Sequence, residues 1–378
     1  MSETAERHIV MSTPGFPVSC DDADKPFLLN HARALVEAGF RVTIVCPALP
    51  GLSGRNEVEG VEVVRVRYAP KRLETLAATG SMYREARGVK SLLVLPMLLA
   101  MTIAMIRELR RSSAIAYGHW WIPGGLVAVV SGLIVGRSKV VHVHGSDAHL
   151  ASRGFMRRLG RWVLRKSDRR LAVSSHLVQW GREISSLDMQ VLPMPVPLDH
   201  YSEITQAPED GFVLAVGRLV DEKGFDVLID AVAEIEESRR PEVVILGVGP
   251  ERQALVDRAA KAEVALRMPG TVAPNAMSEW YRGARLVAVP SRREGFGLVA
   301  VEALAAGRAV VVSDVGAISP IVRDRECGLV VAPNDVNALY GALEAIDLSW
   351  GLKGREAVTE FGMGKHAQYL RQMYDDLV

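Results

Sequence analysis

The chain has 378 residues, 49% of them hydrophobic, and its 45 Lys and Arg stand against 44 Asp and Glu for a formal net charge of +1. That length exceeds what one hydrophobic core usually organises and predicts two domains, while the charge balance gives no case for a nucleic-acid partner. Cys20, Cys46 and Cys327 have neither metal-type nor disulfide-type spacing, and Met1-Ser-Glu-Thr-Ala-Glu-Arg7 lacks the apolar core of a signal peptide, so the expectation is a reducing, cytoplasmic protein.

In chain order, His8-Ile-Val-Met-Ser12 predicts a strand, Thr13-Pro-Gly-Phe-Pro17 a loop, residues 27–38 a helix capped by Gly39, and Arg41-Val-Thr-Ile-Val-Cys46 the next strand. Runs at 60–66, 114–117, 139–143 and 170–173 alternate with helical stretches and complete a first doubly wound domain. Within it, the segment from Ser91 to Ile106 is apolar nearly all round, broken by Pro96 and flanked by Arg84, Arg87, Lys90, Arg107, Arg110 and Arg111. A span needs roughly 20 apolar residues, so the segment reads as a buried helix. Its basic flanks also suit peripheral contact with an anionic membrane, at the inner face.

The proline-rich Gln190–Asp199 stretch and polar residues 202–211 mark an interdomain connection, after which the strand–helix pattern restarts. Further strands are expected at 212–216, 242–246, 286–290, 309–313 and 328–331, and an amphipathic helix over 355–377. The domains are therefore 1–195, 196–355 and a returning helix at 356–378.

Charged and glycine residues collect where the strands of the second domain end. Gly217-Arg218 and Lys223-Gly224 follow the first of its strands, and two cations there can hold a diphosphate and stabilise it as a leaving group. Pro290-Ser-Arg-Arg-Glu294-Gly-Phe-Gly297 follows another, and from Leu298 an Ala/Leu-rich helix runs to Ala306. Free N–H groups at such a helix start attract phosphate. Glu302, inside that helix, either faces solvent or accepts hydrogen bonds from hydroxyls such as a ribose offers. Gly247-Val-Gly249 follows a strand too, but Arg252 replaces the third glycine of a dinucleotide fingerprint.

These residues carry a resemblance. The chain resembles the family 4 glycosyltransferases, through the Glu-x7-Glu pair Glu294 and Glu302 and the Gly-Arg-Leu, Lys-Gly, Pro-Ser-x-x-Glu-Gly-Phe-Gly and Glu-Ala-x-Ala-x-Gly signatures in order, most closely from Val213 to Pro333. The resemblance implies an α/β chain of two facing Rossmann-like, doubly wound domains (GT-B) with the C-terminal helix crossing back to the first. It implies a nucleotide-sugar substrate of UDP or GDP type, no metal, no other cofactor, and retention of anomeric configuration.

By position, Arg218 and Lys223 would clamp the diphosphate, Glu302 would hold the ribose, and Glu294 would contact the sugar. The backbone of Gly295, Phe296, Gly297, Leu298 and Val299 would meet sugar and phosphate. Val-His-Val-His144-Gly resembles the family's strand-end His-Gly and places His144 against the donor sugar. The paired glycines common in the family's first loop are replaced by Pro14-Gly15-Phe16-Pro17, leaving Gly15 as a phosphate donor, and the family's Pro-Asn-Gly-Val-Asp is altered to Pro193-Met-Pro-Val-Pro-Leu-Asp199.

The expected reaction is hexosyl transfer to an acceptor hydroxyl: of a sugar, a lipid-linked precursor or a small molecule. Either the leaving phosphate takes the acceptor's proton on one face, or Glu294 acts as nucleophile in a double displacement. His119, Trp120 and Trp121 follow a first-domain strand and can line the acceptor or pack in the core. Two other readings remain at this point: a metal-dependent hydrolase using His142, His144, Asp147 and His149, and a non-catalytic sugar-nucleotide binder.

Overall fold

The computed structural model describes residues 7–77, 85, 88–145, 147, 154–201, 203 and 206–377. The chain forms two compact units, one of Met1–Pro195 with Met363–Val378, the other of Val196–Gly362.

The first unit holds an eight-stranded sheet. Its strands are β1 (His8–Ser12), β2 (Arg41–Pro47), β3 (Gly54–Val58), β4 (Val61–Val66), β5 (Ala114–His119), β6 (Lys139–Val143), β7 (Arg169–Ala172) and β8 (Gln190–Val191). They lie in the order β3-β4-β2-β1-β5-β6-β7-β8, all parallel except β3, which pairs antiparallel with β4. Continuous apolar runs such as Ile9-Val-Met11 are buried on both faces, as a parallel sheet covered by helices requires. The chain grows one way from β1 to β2 and the other way from β4 to β5, so the topological switch point lies between β1 and β5. Loop 13–17 and the turn after His119 sit at its rim.

The second unit repeats the plan with six parallel strands: β9 (Phe212–Val216), β10 (Val243–Leu246), β11 (Leu266–Gly270), β12 (Ala284–Val289), β13 (Val310–Ser313) and β14 (Gly328–Val331). Their order is β11-β10-β9-β12-β13-β14, with the switch point between β9 and β12. Val213, Ala215, Ile245, Leu286, Ala288 and Val311 form its core with Leu228 and Ile229 of the Phe225–Ala233 helix. Each fully buried Val, Leu or Ile side chain among them contributes about 1.5–3 kcal/mol.

Three local expectations change. Pro96 does not interrupt the long apolar helix, because Val94–Arg111 places it in the first turn, where its missing N–H costs no hydrogen bond. That helix is buried on one side only. The predicted helix over 355–377 is two helices, Trp350–Ala357 and Met363–Asp375, separated at Gly362. The second packs on Pro26–Glu37 within the first unit, where Arg371 reaches the carbonyl of Ala38 and Tyr369 bonds Gln190 at 2.8 Å.

Candidate active site

The loops that leave β9 and β12 meet at the switch point of the second unit, and backbone contacts knit them together. The N–H of Arg292 donates to the carbonyl of Glu222 at 2.9 Å. The Arg292 guanidinium grips Asp226 through both nitrogens, at 2.8 and 2.7 Å, and also reaches the Asp221 carbonyl at 2.7 Å. Gly224 adopts φ +64°, and a Cβ there would stand 2.1 Å from the carbonyl oxygen of Pro290, so only glycine lets the two loops approach this closely.

This approach brings Lys223 to Glu294. The ammonium sits 2.6 Å from Glu294 Oε2, with both side chains largely buried, and the Gly295 N–H donates to Oε1 at 3.0 Å. Burial alone would push the Glu294 carboxyl up, but the Lys223 charge, with the Gly295 N–H and the Ser291 hydroxyl, holds it below the ordinary carboxylate value. Lys223 and Glu294, read from the sequence as separate phosphate and sugar contacts, are one ion pair. Arg218 is exposed, and among the described residues it has no ion-pair partner. The Lys223 stem runs beside the turn that carries Arg218, 3.3 Å from where a Gly217 Cβ would stand.

From Glu294 the chain passes through Gly295, the buried Phe296 and Gly297, whose φ of +103° launches the Leu298–Ala305 helix. Phe296 packs edge-on against Phe361, ring centres 5.0 Å apart, and its carbonyl accepts from the Ile318 N–H at 3.1 Å. Among the described residues no side chain caps the helix, so the N–H groups of Leu298 and Val299 are offered at its positive end.

Glu302 lies one turn on, partly buried, and accepts a 2.7 Å hydrogen bond from Tyr281. Burial pushes its carboxyl up to about 7 despite that bond. No local pattern marks Tyr281 as a partner of Glu302. The Gly247-Val-Gly249 motif has a packing role: Cβ atoms there would meet the carbonyls of Gly217 at 1.9 Å and of Leu219 at 2.3 Å.

At the switch point of the first unit the chemistry differs. Gly15 is buried beside Lys25, whose Nζ would lie 3.4 Å from a Cβ, and buried Arg65 ties the loop down through the carbonyls of Phe16 and Pro17. At the carboxyl ends of β5 and β6, His119, His142 and His144 gather in the core with His31 of the first helix and His366 of the last. His119 Nδ1 and His144 Nε2 lie 3.1 Å apart, and His31 Nδ1 and His366 Nε2 2.7 Å apart. His142 bonds the Tyr117 hydroxyl at 2.9 Å and the Leu192 carbonyl at 2.8 Å. Burial drives all five imidazoles toward the neutral form, His142 to about 4 and His366 to about 3.

The residues expected to face an acceptor are largely inside the fold. Trp121 and His119 are buried, and Trp121 donates its N–H to Asp147 Oδ2 and its indole N–H to the Asp147 carbonyl. Trp120 keeps 9% of its surface and stacks on His144 with ring centres 4.3 Å apart. Trp120 therefore covers His144.

One ligand atom from each of His119, His142 and His144 lies within 4.8 Å of the other two. This set differs from the predicted metal quartet. Asp147 turns instead to the N–H groups of His144 and Trp121, and His149 lies outside the described residues. Both nitrogens of His142 already have hydrogen-bond partners, so the cluster fits a network of neutral imidazoles rather than a ligand set.

Two doubly wound parallel sheets, one with Arg218, the Lys223–Glu294 pair and an open helix start at its switch point, give the chain the GT-B fold. The sequence families agree: residues 200–359 match the glycosyl transferases group 1 and residues 26–195 the glycosyl transferase 4-like domain. By both of its domains the chain belongs to the glycosyltransferases.

It is 33% identical over 147 residues to an uncharacterized glycosyltransferase of Methanocaldococcus jannaschii, MJ1607, covering 38% of each chain. It is 30% identical over 275 residues to a D-inositol 3-phosphate glycosyltransferase of Nocardia farcinica, covering 64% of this chain and 60% of that one. Both alignments span less than two thirds of the relative. Among solved structures it shares its fold with sucrose-phosphate synthase from Thermosynechococcus elongatus, TM-score 0.79 at 20% identity, over 98% of this chain and 99% of that one.

Proposed function

We propose that the protein moves a hexosyl unit from a nucleotide-diphosphate sugar to an acceptor hydroxyl, without a metal and with retention of configuration. The observation that carries this reading is the charged switch point of the second unit, where exposed Arg218 lies beside the Lys223–Glu294 pair and ahead of the open Leu298 helix start.

In the reaction the bond from the anomeric carbon to the donor phosphate oxygen breaks, and a bond from that carbon to the acceptor oxygen forms. The acceptor's proton passes to the departing phosphate. Arg218, Lys223 and the N–H groups of Leu298 and Val299 stabilise the charge growing on the diphosphate, a stronger interaction in the transition state than before it. Glu302 accepts from the ribose hydroxyls and Glu294 from the sugar. Engagement of Glu294 by Lys223 and the Gly295 N–H supports the single-face route over attack by Glu294.

The name of the Nocardia relative makes a phosphorylated polyol the first acceptor to try, beside lipid-linked and simple sugars. The test is nucleotide release from UDP-, GDP- and ADP-sugars with and without a chelator, followed by NMR of the product anomer. Release that survives chelation and a retained anomer support the proposal. A metal requirement, an inverted product or a glycosyl adduct trapped on Glu294 contradicts its respective part.

A further inference from the structure

Sheet topology gathers four helices of the first unit on one face. Val94–Arg111, Leu126–Val135, Gly154–Lys166 and Ser175–Ser185 lead into β5, β6, β7 and β8, each crossover running in the same direction along the strand order. Right-handed crossovers place all four on the same side of the sheet, and put Pro26–Glu37, whose crossover runs the other way, on the opposite side. The first two pack together, Ser131 Oγ donating to the Thr102 carbonyl at 3.4 Å.

The first of these helices has two unlike sides. Met97, Met101, Met105 and Leu109 are buried against the sheet. Leu92 and Leu95, each 75% exposed, continue into Leu99 and Ile103, also exposed, at spacings of three or four residues that make one stripe. The same stripe ends in Arg107 and Arg110, which are exposed and form no ion pair among the described residues. The segment Lys90–Arg111 is long and apolar enough to cross a membrane, but its buried methionines fix it along the sheet, so it lies flat.

The neighbouring helices extend the pattern. Leu133 and Ile134 are exposed on the second, and Phe155, 73% exposed, and Trp162 on the third. That third helix carries five cations and no carboxylate. Arg157, Arg161 and Arg165 touch main-chain carbonyls of residues 183–185, while Arg158 and Lys166 face solvent. Across these four helices the carboxylates are Glu108, buried and shared by Arg55 and Arg111, and the exposed Glu183 of Ser175–Ser185, against the larger set of exposed arginines and lysines.

We propose that this face rests on an anionic lipid bilayer. The leucine stripe enters the boundary between headgroups and acyl chains, Phe155 and Trp162 sit at headgroup level, and the unpaired arginines meet lipid phosphates. A protein partner covering an apolar stripe does not call for this excess of cations, whereas an anionic surface does. The inference concerns where the protein works and does not depend on sugar transfer.

The experiment is co-sedimentation of the full chain with vesicles of phosphatidylcholine alone, or mixed with phosphatidylglycerol, at low and high salt. Binding to the mixed vesicles only, weakened by salt, is expected. The exposed double variants Leu95→Glu/Leu99→Glu and Arg158→Glu/Lys166→Glu should each lower it by about tenfold or more, with circular dichroism and nucleotide release unchanged. Equal or absent binding to both vesicles, or no loss in the leucine variant, overturns the proposal. So does a lipid-free dimer, seen by light scattering, that the leucine variant abolishes, because the face then belongs to a second copy of the chain.

Discussion

The two switch points solve opposite problems with the same sheet architecture. In the second unit, charges are kept charged: Lys223 and Glu294 hold each other 2.6 Å apart, and Arg218 stays in water. In the first, five imidazoles and the Tyr117 hydroxyl are taken out of water and kept neutral by burial. A site that meets a diphosphate gains from standing charge, since the interaction strengthens as negative charge develops on the leaving group. A neutral network gains rigidity from hydrogen bonds at little electrostatic cost and suits holding uncharged hydroxyls.

The sharpest way to break the contrast is Lys223→Met, which leaves the Glu294 carboxylate buried with no cation. Turnover measured by nucleotide release should fall by roughly 100- to 1,000-fold, and the Glu294 carboxyl should titrate higher than in the parent. The counterpart in the first unit is His142→Leu, which strips partners from the Tyr117 hydroxyl and the Leu192 carbonyl. Unfolding free energy should drop by about 2–4 kcal/mol while nucleotide affinity, read by calorimetry, stays within a few fold.

Acid separates the units by sign. Between pH 6.5 and the folded values of about 4 and about 3 for His142 and His366, the unfolded chain binds more protons than the folded one. The first unit should therefore lose roughly 2 kcal/mol for each of these histidines as pH falls from 6.5 to 5.

Glu302 runs the other way: its folded value of about 7 lies above the ordinary one, so its contribution is present at low pH and lost as pH rises through 7. Hydrogen exchange at pH 5 and pH 8 should show first-unit amides exchanging from a less stable state at pH 5, and second-unit amides from a less stable state at pH 8, after correction for intrinsic rates. Shifts of one sign in both units would contradict the contrast. The smallest effect belongs to Glu302→Gln, which should flatten the second unit's loss between pH 5 and pH 7 by roughly 2 kcal/mol. It should also weaken donor binding about tenfold or less, as loss of the one ribose contact proposed for Glu302 implies.

The legible parts of the molecule were those encoded locally. Apolar runs such as Val310–Ser313 and Gly328–Val331 announced buried parallel strands, and Gly297 followed by Leu-Val-Ala-Val announced a helix start. Strands with weak local signals were missed: β3 reads Gly-Arg-Asn-Glu-Val, and β11 contains Pro269. Both are edge strands, paired on one side, so their side chains need not be apolar.

At the site, Arg218, Lys223, Glu294 and Glu302 stood out through charge and glycine spacing. Their partners did not. Tyr281 reaches Glu302 across 21 residues, Arg292 reaches Asp226 across 66, and His31 meets His366 across 335, separations that no local pattern records. His119 drew notice only as an acceptor candidate, because burial is a property of the folded sheet rather than of the segment Gly118-His119-Trp120.

The central claim is that the second unit's standing charges stabilise a departing diphosphate. Steady-state kinetics of Arg218→Ala, with whichever nucleotide sugar the protein accepts, tests it most directly. A fall of about a hundredfold in kcat with KM changed only a few fold is the predicted result. An unchanged kcat, or a loss confined to KM, would contradict it.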